Sequence, residues 1–168
     1  SILPAFIEHV LAVAREGSPQ VLVDLYCGVG LFALSAVNDF ERVYGVEVDP
    51  VAVNLARHNA QQRGGKLHTK GSAVQFLAAD AATGLREVAK NLRDEKLVVI
   101  VDPPRQGLHQ EAREALVKLR AQRICYVSCD CATQARDLKE FVAEGYVVKR
   151  ATPFDLFPQT RHLEVVVS

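Results

Sequence analysis

Three cysteines stand close together in the segment CYVSCDC, residues 125–131. A zinc site needs about four suitably spaced ligands, and the fourth cysteine and the five histidines are scattered along the chain, so we expect no metal. A redox pair would be expected as C-x-x-C, which this segment lacks. Cys125, in the middle of an apolar run, and Cys27 are expected to be packing residues. Cys129 ends that run, and is either a nucleophile or a further packing residue.

A glycine-rich turn and an acidic residue suggest a nucleoside site. In DLYCGVG (24–30), Gly28 and Gly30 follow an apolar run and allow the backbone to approach a ligand closely. Glu47 ends the next run roughly 20 residues further on, where a carboxylate can accept hydrogen bonds from ribose hydroxyls. The spacing is not the G-x-G-x-x-G of a pyrophosphate site. S-adenosyl-L-methionine therefore fits this pattern better than NAD.

Further acidic residues end two more apolar runs. Asp80 either contacts an adenine amino group or caps the following helix. Asp102 begins DPPR (102–105), in which two prolines make a rigid loop that fixes the directions of Asp102 and Arg105. A plain turn at the end of a strand is the alternative for this segment. Asp49, which precedes a proline, is expected to be a helix cap.

Strand-like and helix-like segments alternate along the chain, which predicts a doubly wound, mostly parallel α/β sheet with helices on both faces. Ligands in such sheets bind at the carboxyl ends of the strands, where the candidate residues stand. The last two strands have no helix between them, so we expect one to run antiparallel. The predicted strands are 21–27, 42–49, 73–80, 96–104, 123–129, 146–155 and 162–168. The predicted helices are the first 14 residues, 31–37, 51–64, 81–92, 111–120 and 133–145.

Composition narrows the class of protein. The 168 residues are 49% hydrophobic and 24% charged, with a net charge of zero, which predicts a globular domain without the strongly basic surface typical of nucleic-acid-binding proteins. The cysteine pattern does not indicate a secreted disulfide framework, so we expect a cytoplasmic setting. The chain has no Met and begins at Ser1. We therefore expect a single domain over 1–168 that is the C-terminal piece of a longer protein.

Five motifs occur in a characteristic order from about residue 20 to the C-terminus: DLYCGVG, YGVE, VDPPRQGL, YVSCD with ARDL, and DLFPQTRHLEVV. Together they resemble the catalytic domain of the RNA 5-methyluridine methyltransferases. That family methylates C5 of uridine in transfer or ribosomal RNA with S-adenosyl-L-methionine. The resemblance implies a Rossmann-like class I methyltransferase fold, that cofactor and an RNA substrate. It also implies an N-terminal RNA-binding part and a cofactor-contacting Gln before this segment, and the sequence contains neither.

The resemblance also implies roles for individual residues. Cys129 corresponds to a nucleophile that adds to C6 of uracil, and Glu164 corresponds to the base that removes the C5 proton. The expected cofactor-binding residues are Tyr26, Gly28, Gly30, Glu47, Asp80 and Asp102. The residues expected to orient the target base are Arg105, Gln159 and His162. The chemistry requires no metal.

One departure from the family keeps other functions open. The family usually has Asn-Pro after the nucleophile, where this chain has Asp130 and Cys131. A carboxylate only accepts hydrogen bonds, and it disfavours a nearby thiolate, so a module that binds cofactor or RNA without catalysis is one alternative. An amino-group methyltransferase is another, since DPP occurs there too, but an aromatic residue then normally follows where Arg105 stands.

Overall fold

The described residues form one mixed sheet with helices on both sides. The structure, a computed structural model, describes residues 2–62, 73–156, 159–160 and 163–168. The strands are β1 (Val21–Leu25), β2 (Arg42–Glu47), β3 (Ala73–Ala78), β4 (Leu97–Val101), β5 (Arg123–Ser128), β6 (Ala151–Phe154) and β7 (Glu164–Val167). The helices are α1 (Leu3–Arg15), α2 (Leu31–Ser35), α3 (Pro50–Gln62), α4 (Ala81–Lys90), α5 (Gln110–Leu119) and α6 (Cys131–Ala143).

The strand order is β3-β2-β1-β4-β5-β7-β6. The first five strands of this order pair in parallel, while β7 runs antiparallel to both of its neighbours, β5 and β6. The predicted doubly wound, mostly parallel sheet and its antiparallel strand are therefore confirmed. The strand order reverses its direction across the sheet between β1 and β4, and this switch point is where such folds bind ligands.

The two faces of the sheet are covered by different helices. Side chains alternate along each strand, so Leu22 of β1 packs with α1, α2 and α3, whereas Val21 and Val23 pack with α4, α5 and α6. All five residues of β1 and all five of β4 are buried. This explains why both strands are continuous apolar runs rather than alternating ones.

The ends of several strands and helices differ from the predicted ends. The strand predicted at 96–104 ends at Val101, since the prolines after Asp102 cannot donate to the ladder. The strand predicted at 146–155 is only Ala151–Phe154. The end of the helix predicted at 51–64 lies partly outside the described residues. Among the described helices, none is long and apolar enough to span a membrane.

Candidate active site

The turn between β1 and α2 is held in a conformation that few side chains tolerate. Tyr26, Gly28 and Gly30 all have positive φ, at 66°, 51° and 92°. This region is natural for glycine but costly for tyrosine, and such strain often marks a functional site. A Cβ placed on Gly28 would meet no atom within 4 Å. The space beside this turn is therefore open to a ligand.

A buried carboxyl supports the turn from below. Asp24 in β1 is fully buried, and its Oδ2 accepts a hydrogen bond from the N–H of Ala33 at 2.8 Å. Its Oδ1 is buried and has no hydrogen-bond partner among the residues that the structure describes. Burial raises the pKa of Asp24 to about 7, and the charges of Asp102 and Glu47 add to the rise. The site therefore already holds several mutually repelling carboxyls, an arrangement that favours a cationic ligand.

Two acids at the ends of β2 and β3 are fixed by backbone groups. Glu47 accepts from the N–H of Gly28 at 3.1 Å through Oε2 and from the N–H of Asp49 at 2.9 Å through Oε1. Asp80 caps α4 by accepting from the N–H of Thr83 at 2.9 Å, and these backbone bonds lower its pKa. The capping role suggested for Asp80 is thus present, and so is that of Asp49, which accepts from the N–H of Val51 at 2.8 Å.

A cleft of about 1040 Å³ lies at the carboxyl ends of these strands. It brings together four of the predicted cofactor-binding residues, Tyr26, Glu47, Asp80 and Asp102. Asp102 is exposed to solvent within the cleft, yet the protein atoms around its carboxyl raise its pKa, and the charge of Glu164 raises it further. The cleft has the place, size and charge expected of a nucleoside-binding site.

The far wall of the cleft comes from the first turns of α5, which the sequence did not single out. His109 precedes the first residue of this helix and lines the cleft, together with Gln110, Glu111 and Glu114. The DPPR motif predicted that the segment after β4 lies near the cleft, but it did not identify these residues of α5. Only the packing of α5 beside α4 reveals that these side chains face the same space.

Cys129 and Glu164 lie at the same end of the pairing of β5 with β7. The last pair of the antiparallel register is Ser128 with Val165, and Cys129 and Glu164 are the next residues beyond that pair, one on each strand. Opposite residues of an antiparallel pair have Cα atoms about 4.5–5.5 Å apart. Gln134 of α6 donates to the carbonyl of Val165 at 3.0 Å, which secures β7 beside β5.

Both residues lie beside the cleft rather than in its wall. Cys129 is partly exposed, and Glu164 is partly buried. Neither is among the described residues that line the cleft. The link between cleft and pair is Asp102, whose carboxyl lies in the cleft wall and within electrostatic range of Glu164.

Asp130 is the N-cap of α6. Its Oδ1 accepts from the N–H groups of Ala132 at 3.0 Å and Thr133 at 2.9 Å. These bonds lower its pKa, and the charge of Arg105 adds to the effect. Its negative charge is therefore largely balanced by the helix end and a cation. Cys131 is exposed at the first position of the helix, which begins two residues before the predicted start.

The residues expected to orient the base are only partly described. Arg105 is exposed, and its carbonyl accepts from the Oγ1 of Thr133 at 2.9 Å, so its position is tied to α6. Gln159 is exposed and has φ of 70°. His162 lies outside the described residues.

The other cysteines match the packing role predicted for them. Cys27 and Cys125 are buried. Burial raises the pKa of Cys125 to about 12 and that of Cys27 even further, so neither is a reactive thiol. Within the described part of the chain, no group of three or more His, Cys, Asp or Glu side chains could hold a metal ion.

Asp137 in α6 is a functional candidate that sequence reasoning missed. It is fully buried although charged. A signal was available in the sequence, because Gln134, Asp137 and Phe141 recur at helical spacing on the buried face of α6. A polar side chain on such a face needs a partner, and this alone identifies Asp137 as a residue with a specific structural task.

Comparisons of the sequence with known proteins all find RNA methyltransferases. A sequence model described as tRNA (Uracil-5-)-methyltransferase matches residues 2–168. An uncharacterised RNA methyltransferase of Thermotoga maritima is 36% identical over 168 residues, which are 100% of this chain and 36% of the relative. Another, from Streptococcus pyogenes serotype M3, is 39% identical over 160 residues, which are 95% of this chain and 33% of the relative.

Comparison with a solved structure identifies the fold. The tRNA (uracil-54, C5)-methyltransferase of Pyrococcus abyssi, in complex with S-adenosyl-L-homocysteine, superposes with a TM-score of 0.73 at 28% identity. The alignment covers 95% of this chain and 36% of that one. The fold is thus the Rossmann-like fold of class I methyltransferases. The chain spans about a third of the length of the curated relatives it matches.

Proposed function

The chain belongs to the tRNA (uracil-5-)-methyltransferase family, and we propose that it transfers a methyl group from S-adenosyl-L-methionine to C5 of a uridine in transfer or ribosomal RNA. The observation that carries the proposal is the pairing of β5 with β7. Its last pair is Ser128 with Val165, and the next residues beyond that pair are a partly exposed thiol, Cys129, and a carboxyl group, Glu164. Methylation at C5 of uracil needs one nucleophile and one base, and these two side chains provide them.

The cleft fits S-adenosyl-L-methionine in shape and charge. Gly28 leaves the space beside the turn open. In this proposal Glu47 and Asp80, which line the cleft, bind the ribose hydroxyls and the adenine amino group. Gly30 is expected to help form the same turn. Carboxyl groups of Glu47, Asp80 and Asp102 line the cleft, which suits a ligand with a sulfonium and an amino group. When bound, S-adenosyl-L-methionine supplies the methyl group as an electrophile for C5.

Cys129 activates the uracil. The thiolate adds to C6, forming an S–C6 bond, and the electron pair of the C5–C6 double bond moves toward C5 and the O4 carbonyl. C5 is then nucleophilic enough to be methylated. Glu164 next accepts the proton of C5, the C5–C6 double bond reforms, and the S–C6 bond breaks to release the Cys129 thiolate.

The target base must leave its stack to reach this pair. Enzymes that act on a base within structured RNA swing it into a pocket, where side chains hold its edge. In this proposal Arg105, Gln159 and His162 orient the base. Arg105 is well placed for this, since Thr133 ties its backbone to the helix that follows Cys129.

Covalent trapping tests the proposal. RNA that carries 5-fluorouridine has no C5 proton to remove, so we expect the protein and S-adenosyl-L-methionine to form a lasting adduct with it, seen as a band that migrates slowly in a denaturing gel. Cys129→Ala should form none. Cys131→Ala, which removes the neighbouring exposed thiol, is the matched control and should form as much adduct as the wild type.

Glu164 is tested with ordinary uridine RNA. Glu164→Gln should accumulate a methylated adduct, because no carboxylate removes the C5 proton, whereas the wild type should turn over and leave free product. No adduct between wild type and 5-fluorouridine RNA would refute the mechanism. Methylation of ordinary RNA by a wild type that forms no adduct with 5-fluorouridine RNA would instead favour an amino-group methyltransferase.

A further inference from the structure

We propose that Asp137 is a positioning residue: its buried carboxylate clamps the loop after β4, residues 102–109, onto β5 and α6, and so fixes Arg105 relative to Cys129. This inference rests on the proposed function. It adds the residue that holds the loop carrying Arg105 in a fixed position relative to Cys129. No step of the chemistry described above uses Asp137.

The carboxylate of Asp137 receives donors from three separate elements. Its Oδ2 accepts from the hydroxyl of Tyr126 in β5 at 2.7 Å and from the N–H of Leu108 in the loop at 2.8 Å. Its Oδ1 accepts from Arg136, the preceding residue of α6, at 2.7 Å from Nη2 and 2.9 Å from Nε. Since Asp137 and Tyr126 are completely buried, these bonds are shielded from water.

Two arginines extend the clamp to the carbonyls of the loop. Arg136 Nη2 donates to the carbonyl of Gln106 at 3.0 Å and to that of Leu108 at 3.3 Å. Arg113 of α5 also donates to the carbonyl of Leu108, and its Nη1 lies 3.4 Å from Oδ1 of Asp137. The loop is therefore held through both its donors and its acceptors.

The loop lies directly against the clamp. A Cβ on Gly107, whose φ is 74°, would stand 2.7 Å from both Arg136 Nη2 and Asp137 Oδ2. Only glycine allows this approach. The contact leaves the loop no room to shift toward α6, and the hydrogen bonds prevent it from moving away.

The clamp connects the parts of the site that must act together. Tyr126 lies three residues before Cys129 on β5, and the loop carries Arg105. A buried ion pair is weak evidence for stability, because desolvation opposes the attraction. A fixed geometry gives such a pair a function, since small misplacements of a catalytic group reduce rates strongly.

Asp137→Asn in the full-length protein is the test. Asparagine keeps the size of the side chain but replaces one acceptor oxygen by an NH₂ group. The NH₂ group then faces either the N–H of Leu108 or the guanidinium of Arg136. Both of these are donors, so neither can accept a hydrogen bond from it. At saturating RNA, we expect the rate of adduct formation with 5-fluorouridine RNA to fall roughly 10- to 100-fold. Hydrogen exchange at the Leu108 amide should speed up at the same time.

A stability control separates positioning from folding. Leu11→Ala removes a buried side chain of α1, on the other face of the sheet, and should lower the Tm while the adduct rate stays within about twofold of wild type, because the clamp is intact. Arg136→Met, at a side chain 49% exposed, serves if Asp137→Asn does not fold. It should release the Gln106 carbonyl and give a smaller loss of rate.

The outcomes distinguish this inference from the proposed function. A wild type that forms no adduct refutes both. An adduct rate for Asp137→Asn equal to that of wild type, with faster exchange at Leu108, refutes the positioning role alone. If Leu11→Ala and Asp137→Asn have the same Tm and lose the same amount of rate, general stability accounts for the effect. That outcome also refutes the inference.

Discussion

The buried carboxyl of Asp24 predicts an unusual dependence of stability on pH, which Asp24→Asn should remove. Within the described part of the chain, one oxygen of Asp24 has a hydrogen-bond partner, the N–H of Ala33, and the other has none. The charges of Glu47 and Asp102 also oppose its ionisation. Asparagine has nearly the same shape and can still accept from Ala33. The substitution therefore removes the charge while it keeps the packing.

The magnitude follows from the two pKa values. The carboxyl has a pKa of about 7 in the folded chain and 3.8 in the unfolded chain. Because the folded chain binds this proton more tightly, the free energy of unfolding is unaffected below about pH 4, falls as the pH rises toward 7, and is lower by up to about 4 kcal/mol above that. Between pH 5 and pH 8 the loss is about 2–3 kcal/mol.

Urea unfolding of wild type and Asp24→Asn at pH 5 and pH 8 measures this effect. The advantage of Asp24→Asn over wild type should grow by about 2–3 kcal/mol from pH 5 to pH 8. Any cost of burying the amide NH₂ is the same at both pH values, so the comparison isolates the charge. An advantage that is unchanged between the two pH values would refute the assignment of Asp24 as a costly buried acid.

Two further variants test the packing of α4 against β2 and the start of α6. Gly84→Ala should lower the free energy of unfolding by about 1–3 kcal/mol, since its Cβ would lie 2.3 Å from Cγ1 of Val46; an unchanged urea midpoint would contradict this contact. The double change of Asp130→Asn and Cys131→Pro, which restores the residues usual in the family, should leave the Tm and the adduct yield unchanged. Asparagine also caps helices, and the extended Asp130, with φ of −126° and ψ of 101°, suits a residue before proline at the first helical position. A lower Tm would show that α6 does not begin as described.

The order of elements could be predicted because its signals are local. The strands β1 and β4 are short apolar runs, and glycine, proline or an acidic residue ends each one. A strand that ends at such residues places their side chains at the carboxyl edge of the sheet, so Glu47, Asp80 and Asp102 could be assigned to one cleft from the pattern, and the family resemblance added Tyr26. The motif order also identified the family.

The roles of single acidic residues were harder to predict, because the same residue type serves different tasks. Asp80 was expected either to bind adenine or to cap a helix, and the structure shows the cap at the edge of the cleft. Asp130 looked unfavourable beside a thiol, but it is committed to the first turn of α6. Backbone N–H groups decide such cases, and their positions follow only from the folded chain.

The sequence by itself determined the order of the elements and the strand ends at which the candidate residues stand, since both depend on residue type and short-range pattern, and its motifs identified the family. Tertiary structure alone decided which of them meet. The antiparallel pairing of β7 beside β5 ends at Ser128 and Val165, next to Cys129 and Glu164, and the burial of Asp137 joins the loop after β4 to α6. Register and burial depend on contacts between residues distant in the chain, so no local pattern contains them.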